Sequence, residues 1–149
     1  MGILDNPVSK ERLLNVELPA IQAYNSQRDL DYRVTVEPKG GELHLKYRLK
    51  PAHNCYELVT MLSESYPVIA PTTRVLTKLQ PCPHLLYQQT LCLWKQGSKL
   101  ADSRWDPARF TTVFAIQAAW RWLACYEIWE RNIRGLRGFS GLIRGWTQI

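Results

Sequence analysis

Leu43-His44-Leu45-Lys46-Tyr47-Arg48-Leu49-Lys50 alternates apolar and polar side chains without a break. That period of two puts Leu43, Leu45, Tyr47 and Leu49 on one face of a pleated strand and the basic residues on the other. The segment predicts a strand buried on one side. Working outward, Pro38-Lys39-Gly40-Gly41 reads as the turn before it and Tyr32-Arg33-Val34-Thr35-Val36 as the strand before that turn. Cys55 to Leu62 predicts a third strand and Thr73 to Leu79 a shorter fourth. The segment between them, Ser65-Tyr66-Pro67-Val68-Ile69-Ala70-Pro71, holds two prolines and is no central strand. Four strands in succession make an antiparallel meander.

Helices flank the sheet. Leu14, Leu18 and Ile21, with Ala20 and Tyr24, recur at helical spacing and predict an amphipathic helix over about 8–25, started at Asn6-Pro7 or Ser9 and kinked at Pro19. At the other end Asp106 reads as a cap and Pro107 as the first helical residue of a helix running to about Arg131. Its apolar residues cover most of the circumference, with Phe110, Val113 and Phe114 on one side and Ala115, Ala119, Trp122, Tyr126 and Trp129 on another, so it should be central and buried. From Leu79 to Asp106 periodicity lapses, yet Leu85, Leu86, Leu91, Leu93 and Trp94 argue for a packed loop, and packed loops of such length tend to carry function. The expected class is α+β: an N-terminal helix, a four-stranded antiparallel meander and a long C-terminal helix. Residues 1–130 form the domain, and 131–149 form a basic tail rich in Gly and Arg that either packs back on the domain or meets a partner.

The chain has 149 residues, of which 46% are hydrophobic and 21% charged, the composition of one globular domain. Its formal charge is +6, but the basic residues are scattered rather than clustered, so a nucleic-acid partner is not expected. The most apolar run, Val113 to Trp120, is too short to span a bilayer. Met1 to Pro7 resembles neither a secretory leader nor an acylation site, and the expected location is the cytoplasm. The four cysteines, Cys55, Cys82, Cys92 and Cys125, are then reduced thiols, with Cys55 and Cys125 read as strand or core residues.

Tyr66-Pro67-Val68-Ile69-Ala70-Pro71, Leu91-Cys92-Leu93 and Trp105-Asp106-Pro107-Ala108, in this order after a helix and a meander, resemble the ubiquitin-conjugating (UBC) fold over roughly residues 8 to 130. They match that family's Tyr-Pro-x-x-Pro-Pro element, its catalytic cysteine and the Trp-Ser-Pro-Ala that opens its second helix. The family's His-Pro-Asn is replaced by Pro83-His84-Leu85, with His84 eight residues ahead of Cys92, and the asparagine has no counterpart. The family's two C-terminal helices give way to the tail. This pattern is similar to the bacterial conjugating-enzyme-like proteins of antiphage operons, in the stand-alone form found in CBASS operons beside a cGAS-like nucleotidyltransferase. The resemblance implies a thioester between Cys92 and the C-terminus of that nucleotidyltransferase, leading to conjugates that alter second-messenger synthesis. It also leaves open an inactive UBC-fold module that only holds the nucleotidyltransferase or a ubiquitin-like protein.

The chemistry itself asks for an accessible thiol, a group that lowers its pKa, and a donor for the oxyanion that develops when the thiolate attacks a carbonyl. Cys92 is the candidate nucleophile and His84 its nearby base or oxyanion donor. Gln88, Gln89 and Thr90 are further candidate donors, and Asp102 or Asp106 could orient an incoming lysine. Cys82, His84 and Cys92, with Cys125 as a fourth ligand, form a poor zinc set because Cys82-Pro83-His84 is tighter than the usual ligand spacing. No metal or cofactor is expected. The sequence also holds no Gly-x-x-x-x-Gly-Lys phosphate loop.

Overall fold

The alternation around Leu45 is realised in β2 (Glu42–Leu49), where Leu43, Leu45, Tyr47 and Leu49 are all buried. The computed structural model describes residues 2–94 and 104–133, and the tail from Arg134 onward lies outside the described residues. β2 pairs antiparallel with β1 (Thr35–Lys39) on one side and β3 (Tyr56–Leu62) on the other, and β3 pairs with β4 (Thr72–Val75), giving the order β1-β2-β3-β4. The expected meander is what forms.

Several of its edges differ from the sequence reading, with β3 starting at Tyr56 rather than Cys55 and β4 spanning Thr72–Val75 rather than running to Leu79. The first strand starts at Thr35 rather than Tyr32, because Leu30–Tyr32 closes a 3₁₀ turn and the Asn25 carboxamide takes both backbone groups of Val34. Pro38 and Lys39 belong to the strand and only Gly40-Gly41 turns. Pro38 is tolerated because β1 is an edge strand. Both glycines sit at positive φ, 58° and 84°, as a two-residue hairpin turn requires.

The N-terminal helix is continuous but not uniform. Asn6 caps it by accepting from the N–H groups of Val8 and Ser9, α1 spans Pro7–Arg12, a π turn spans Leu13–Glu17, and α2 spans Leu18–Ser26. Within the π turn the Leu18 N–H reaches back five residues to the Leu13 carbonyl. Pro19 follows at once, so the irregularity expected from its ring takes the form of a widened turn.

The long helix, α3, spans Thr112–Ile133 and starts later than Asp106. Asp106 instead caps a separate turn, its carboxylate accepting from the Ala108 N–H and its carbonyl from Arg109 and Phe110. α3 lays Ile116, Ala119, Trp122, Leu123 and Tyr126 on the inner face of the sheet, and Leu13, Ile21 and Tyr24 close the same core from the N-terminal side. Inside it the Tyr47 hydroxyl, Thr60 and Thr73 form a buried chain of hydrogen bonds, 2.7 and 2.9 Å long. Cys55 is not a core or strand residue: it is exposed, one position ahead of β3. Cys125 does pack against the core, partly buried.

Candidate functional site

Cys92 is held by a hairpin that continues the sheet past β4. Leu85 and Leu91 pair with each other, Thr90 pairs antiparallel with Arg74, and the Leu91 N–H donates to Thr73 at 2.9 Å. The edge that β4 would present is thus covered by the segment carrying the cysteine. At the mouth of the hairpin the Cys92 N–H donates to the His84 carbonyl at 3.0 Å, so the two residues singled out in the sequence meet through their backbones. Cys92 is partly exposed and lies just past the last pairing residue.

Backbone strain is concentrated here. His84, Gln88 and Gln89 sit at φ values of 61°, 57° and 57°, the left-handed region that non-glycine residues enter at a cost. The side chains of the two glutamines hold the tip in place. Gln89 accepts from the Leu79 N–H and donates to the carbonyls of Val75 and Thr77, each near 2.8–2.9 Å, which ends β4 at Val75 while leaving its last backbone groups satisfied. Gln88 accepts from Arg74. Both carboxamides therefore brace the hairpin. Thr90 has both backbone groups engaged, with Leu86 and Tyr87.

On its other flank the site is walled by aromatics. The Trp94 indole N–H donates to Pro71 at 2.9 Å and the Trp105 indole N–H to Pro67 at 2.7 Å, clamping both ends of the proline-rich flap, whose Tyr66–Pro67 bond is cis. Trp94 meets Trp105 edge-on at 5.1 Å, and Phe110 and Phe114 stack at 4.0 Å beside them. Flap residues Val68 and Ile69 are exposed. Asp106 turns the chain under this wall, as described above, and Asp102 lies outside the described residues.

A buried carboxylate ties these parts together, and it escaped the sequence reading. Glu17 is 0% exposed. It accepts from Arg12 at 2.9 Å, from the Tyr66 hydroxyl, and from both the N–H and the hydroxyl of Thr112 at 2.9 and 3.0 Å. Helix, flap and the first turn of α3 converge on one group. Burial and the neighbouring carboxylate raise the Tyr66 phenol well above its usual range, which keeps it a donor. Arg12 continues the network by donating to the carbonyls of Pro107 and Phe110, both at 2.6 Å. The missed signal was Glu17 standing four residues from both Leu13 and Ile21, a charge inside an apolar stripe. Glu127 repeats it after Ala119 and Leu123, and its buried carboxylate accepts from His53, Asn54 and Tyr56.

Two further thiols are partly buried. Burial pushes the Cys82 thiol up to about 11 and raises that of Cys125, which makes both poor nucleophiles near neutrality. Among the described residues no group of three or more His, Cys, Asp or Glu could hold a metal ion, and no helix is long and apolar enough to cross a membrane.

An N-terminal helix, a four-stranded meander, a clamped proline flap, a cysteine-bearing hairpin and a long crossing helix, in that order, define a ubiquitin-conjugating (E2) type of fold. The sequence matches the family model described as Type II CBASS E2 protein over residues 11–134, and the chain belongs to that family. Comparison with curated proteins found no match. Membership carries an E2-like role in CBASS antiphage systems, among the protein partners of the CBASS operon.

Proposed function

We propose that the chain is a cysteine-dependent acyl transferase whose Cys92 forms a thioester with the C-terminus of a partner protein, a cGAS-like nucleotidyltransferase, and passes that acyl group to an amine, so regulating second-messenger synthesis. The observation that carries this reading is the mouth of the hairpin, where a partly exposed Cys92 is fixed to His84 through a backbone hydrogen bond, in the segment that holds all three non-glycine residues at positive φ among the described residues. Strain of this kind clusters at sites where geometry matters more than stability. The thiolate attacks a partner carbonyl that arrives activated, as an acyl adenylate or a thioester on another enzyme, and AMP or the donor thiol leaves. An amine then attacks the new thioester, loses a proton, and expels the Cys92 thiolate. His84 is the proposed proton acceptor in this step or a donor to its oxyanion. The bracing of Gln88 and Gln89 supports backbone or histidine donors in place of their carboxamides.

The test is the intact mass of the protein co-expressed with the enzymes encoded beside it, denatured without reductant. Wild type should carry an adduct that hydroxylamine removes, Cys92→Ala should carry none, and Cys92→Lys should carry one that resists hydroxylamine. No adduct on any of the three, with the proteins still co-purifying, overturns the transferase and leaves a binding module.

A further inference from the structure

Away from the Cys92 hairpin, the end of α2, the end of β2 and the outer side of α3 enclose two adjoining cavities of about 440 and 420 Å³ that share Tyr24, Arg28, Leu49 and Trp120. None of the hairpin residues lines them. Each falls in the size range of small-ligand sites. The floor is apolar, with Tyr24, Leu49 and Ile116 buried, whereas Trp120 stands 43% exposed at the junction of the two lobes. The rim is cationic. Arg28 serves both lobes, Arg121 opens onto one and Lys50 onto the other, while Asp29 is the one acid among the described lining residues. The Arg28 guanidinium lies 3.4 Å from the centroid of the Tyr24 ring and donates to the Tyr24 carbonyl, a flat and fixed cation beside the exposed indole.

An exposed aromatic face flanked by cations recognises a particular chemistry: a planar base that stacks and a phosphate that pairs. We propose that this cleft is a nucleotide-binding site, with the base against Trp120 and phosphate held by Arg28, Arg121 and Lys50. An acidic peptide would share the charge but needs backbone partners. β2, whose end forms part of the floor, is already paired on both sides, so it offers no free strand edge.

Titration calorimetry on the full chain tests this with AMP, ATP, pentathymidylate and inorganic tripolyphosphate. At least one nucleotide probe should bind saturably. Trp120→Ala and Arg121→Glu, both at exposed positions, should each weaken binding about tenfold without changing the melting temperature, as loss of one stack or one phosphate contact implies. Lys46→Glu, at a position that lines neither cavity, should leave affinity unchanged. Tighter binding of AMP or ATP marks a free nucleotide as the ligand, and tighter binding of pentathymidylate marks a strand. The proposal is overturned if no nucleotide binds saturably, if tripolyphosphate binds as well as ATP and is indifferent to Trp120→Ala, or if Lys46→Glu costs as much as Arg121→Glu.

Discussion

Replacing Glu17 by Gln preserves shape and deletes one charge at the point where helix, flap and α3 converge. One side of the new amide still accepts from the Thr112 N–H and hydroxyl, but the other now presents an NH₂ to Arg12 and Tyr66. The Tyr66 hydroxyl can turn and accept. The Arg12 guanidinium has no acceptor to offer, so two donors are left face to face, and flipping the amide only moves the conflict to the Thr112 N–H. Breaking a buried ion pair by removing one partner costs about 3–5 kcal/mol. Arg12 is 18% exposed and keeps its bonds to Pro107 and Phe110, which favours the lower end, about 3 kcal/mol. For a chain of this length that corresponds to a fall in melting temperature of roughly 6–12 °C. Urea unfolding at pH 7, followed by far-UV circular dichroism, gives the free energy directly, and hydrogen exchange should rise first at the flap and the first turn of α3. Glu17→Leu, which removes every acceptor, should cost more. A loss under about 1 kcal/mol for Glu17→Gln at unchanged m-value refutes the reasoning, since a charge-assisted buried bond cannot be worth so little.

Gln89→Glu removes both N–H donors to Val75 and Thr77, and should cost about 2 kcal/mol in the same assay while speeding amide exchange at Leu86, Leu91 and Cys92. His84→Asn keeps a residue that tolerates positive φ and deletes the imidazole. The expected outcome is an unchanged fold, a Cys92 adduct that still forms, and transfer to an amine slowed by about 10²-fold or more in single-turnover kinetics. Iodoacetamide at pH 8 followed by peptide mass spectrometry should label exposed Cys55 well before Cys82, and equal rates would contradict the burial argument. Because burial raises the Cys82 pKa from about 8.5 when unfolded to about 11 when folded, the unfolded chain binds fewer protons in that window. Stability contributed by the buried neutral thiol is therefore full below pH 8.5 and declines as pH rises towards 11, which urea melts across that range can follow.

Periodicity exposed the four strands and the two long helical segments of this fold but misplaced the boundaries that distant polar groups decide. β2 was legible because both its faces obey one rule over eight residues. The start of β1 was not, because the Asn25 carboxamide, nine positions earlier, occupies Val34 and delays pairing to Thr35. Asp106-Pro107 carries every local sign of a helix start, yet α3 begins at Thr112, where Glu17 supplies the acceptor from 95 residues away. Local chemistry proposes a cap, and tertiary structure chooses among those proposed. A carboxylate on an apolar helical face is the one sequence-level trace of such a choice, and Glu17 and Glu127 both leave it.

At the site the same division holds in sharper form. Cys92 and His84 were named as candidates from residue type and order, whereas the bracing by Gln88 and Gln89 depends on backbone angles that no spacing reveals. Glycine would reach the left-handed conformation at 84, 88 and 89 more easily than the residues present, each of which gives up about 1 kcal/mol or more by sitting there. A side chain placed where glycine fits better has to offset that cost. Gln89 does so with three hydrogen bonds to the end of β4, and Gln88 with its bond to Arg74. Together they fix the tip of a hairpin whose two ends are closed by the bond from Cys92 to His84. Two of the three strained positions thus hold the third in register with the Cys92 backbone, an arrangement that spends stability on the geometry of the hairpin rather than on the core.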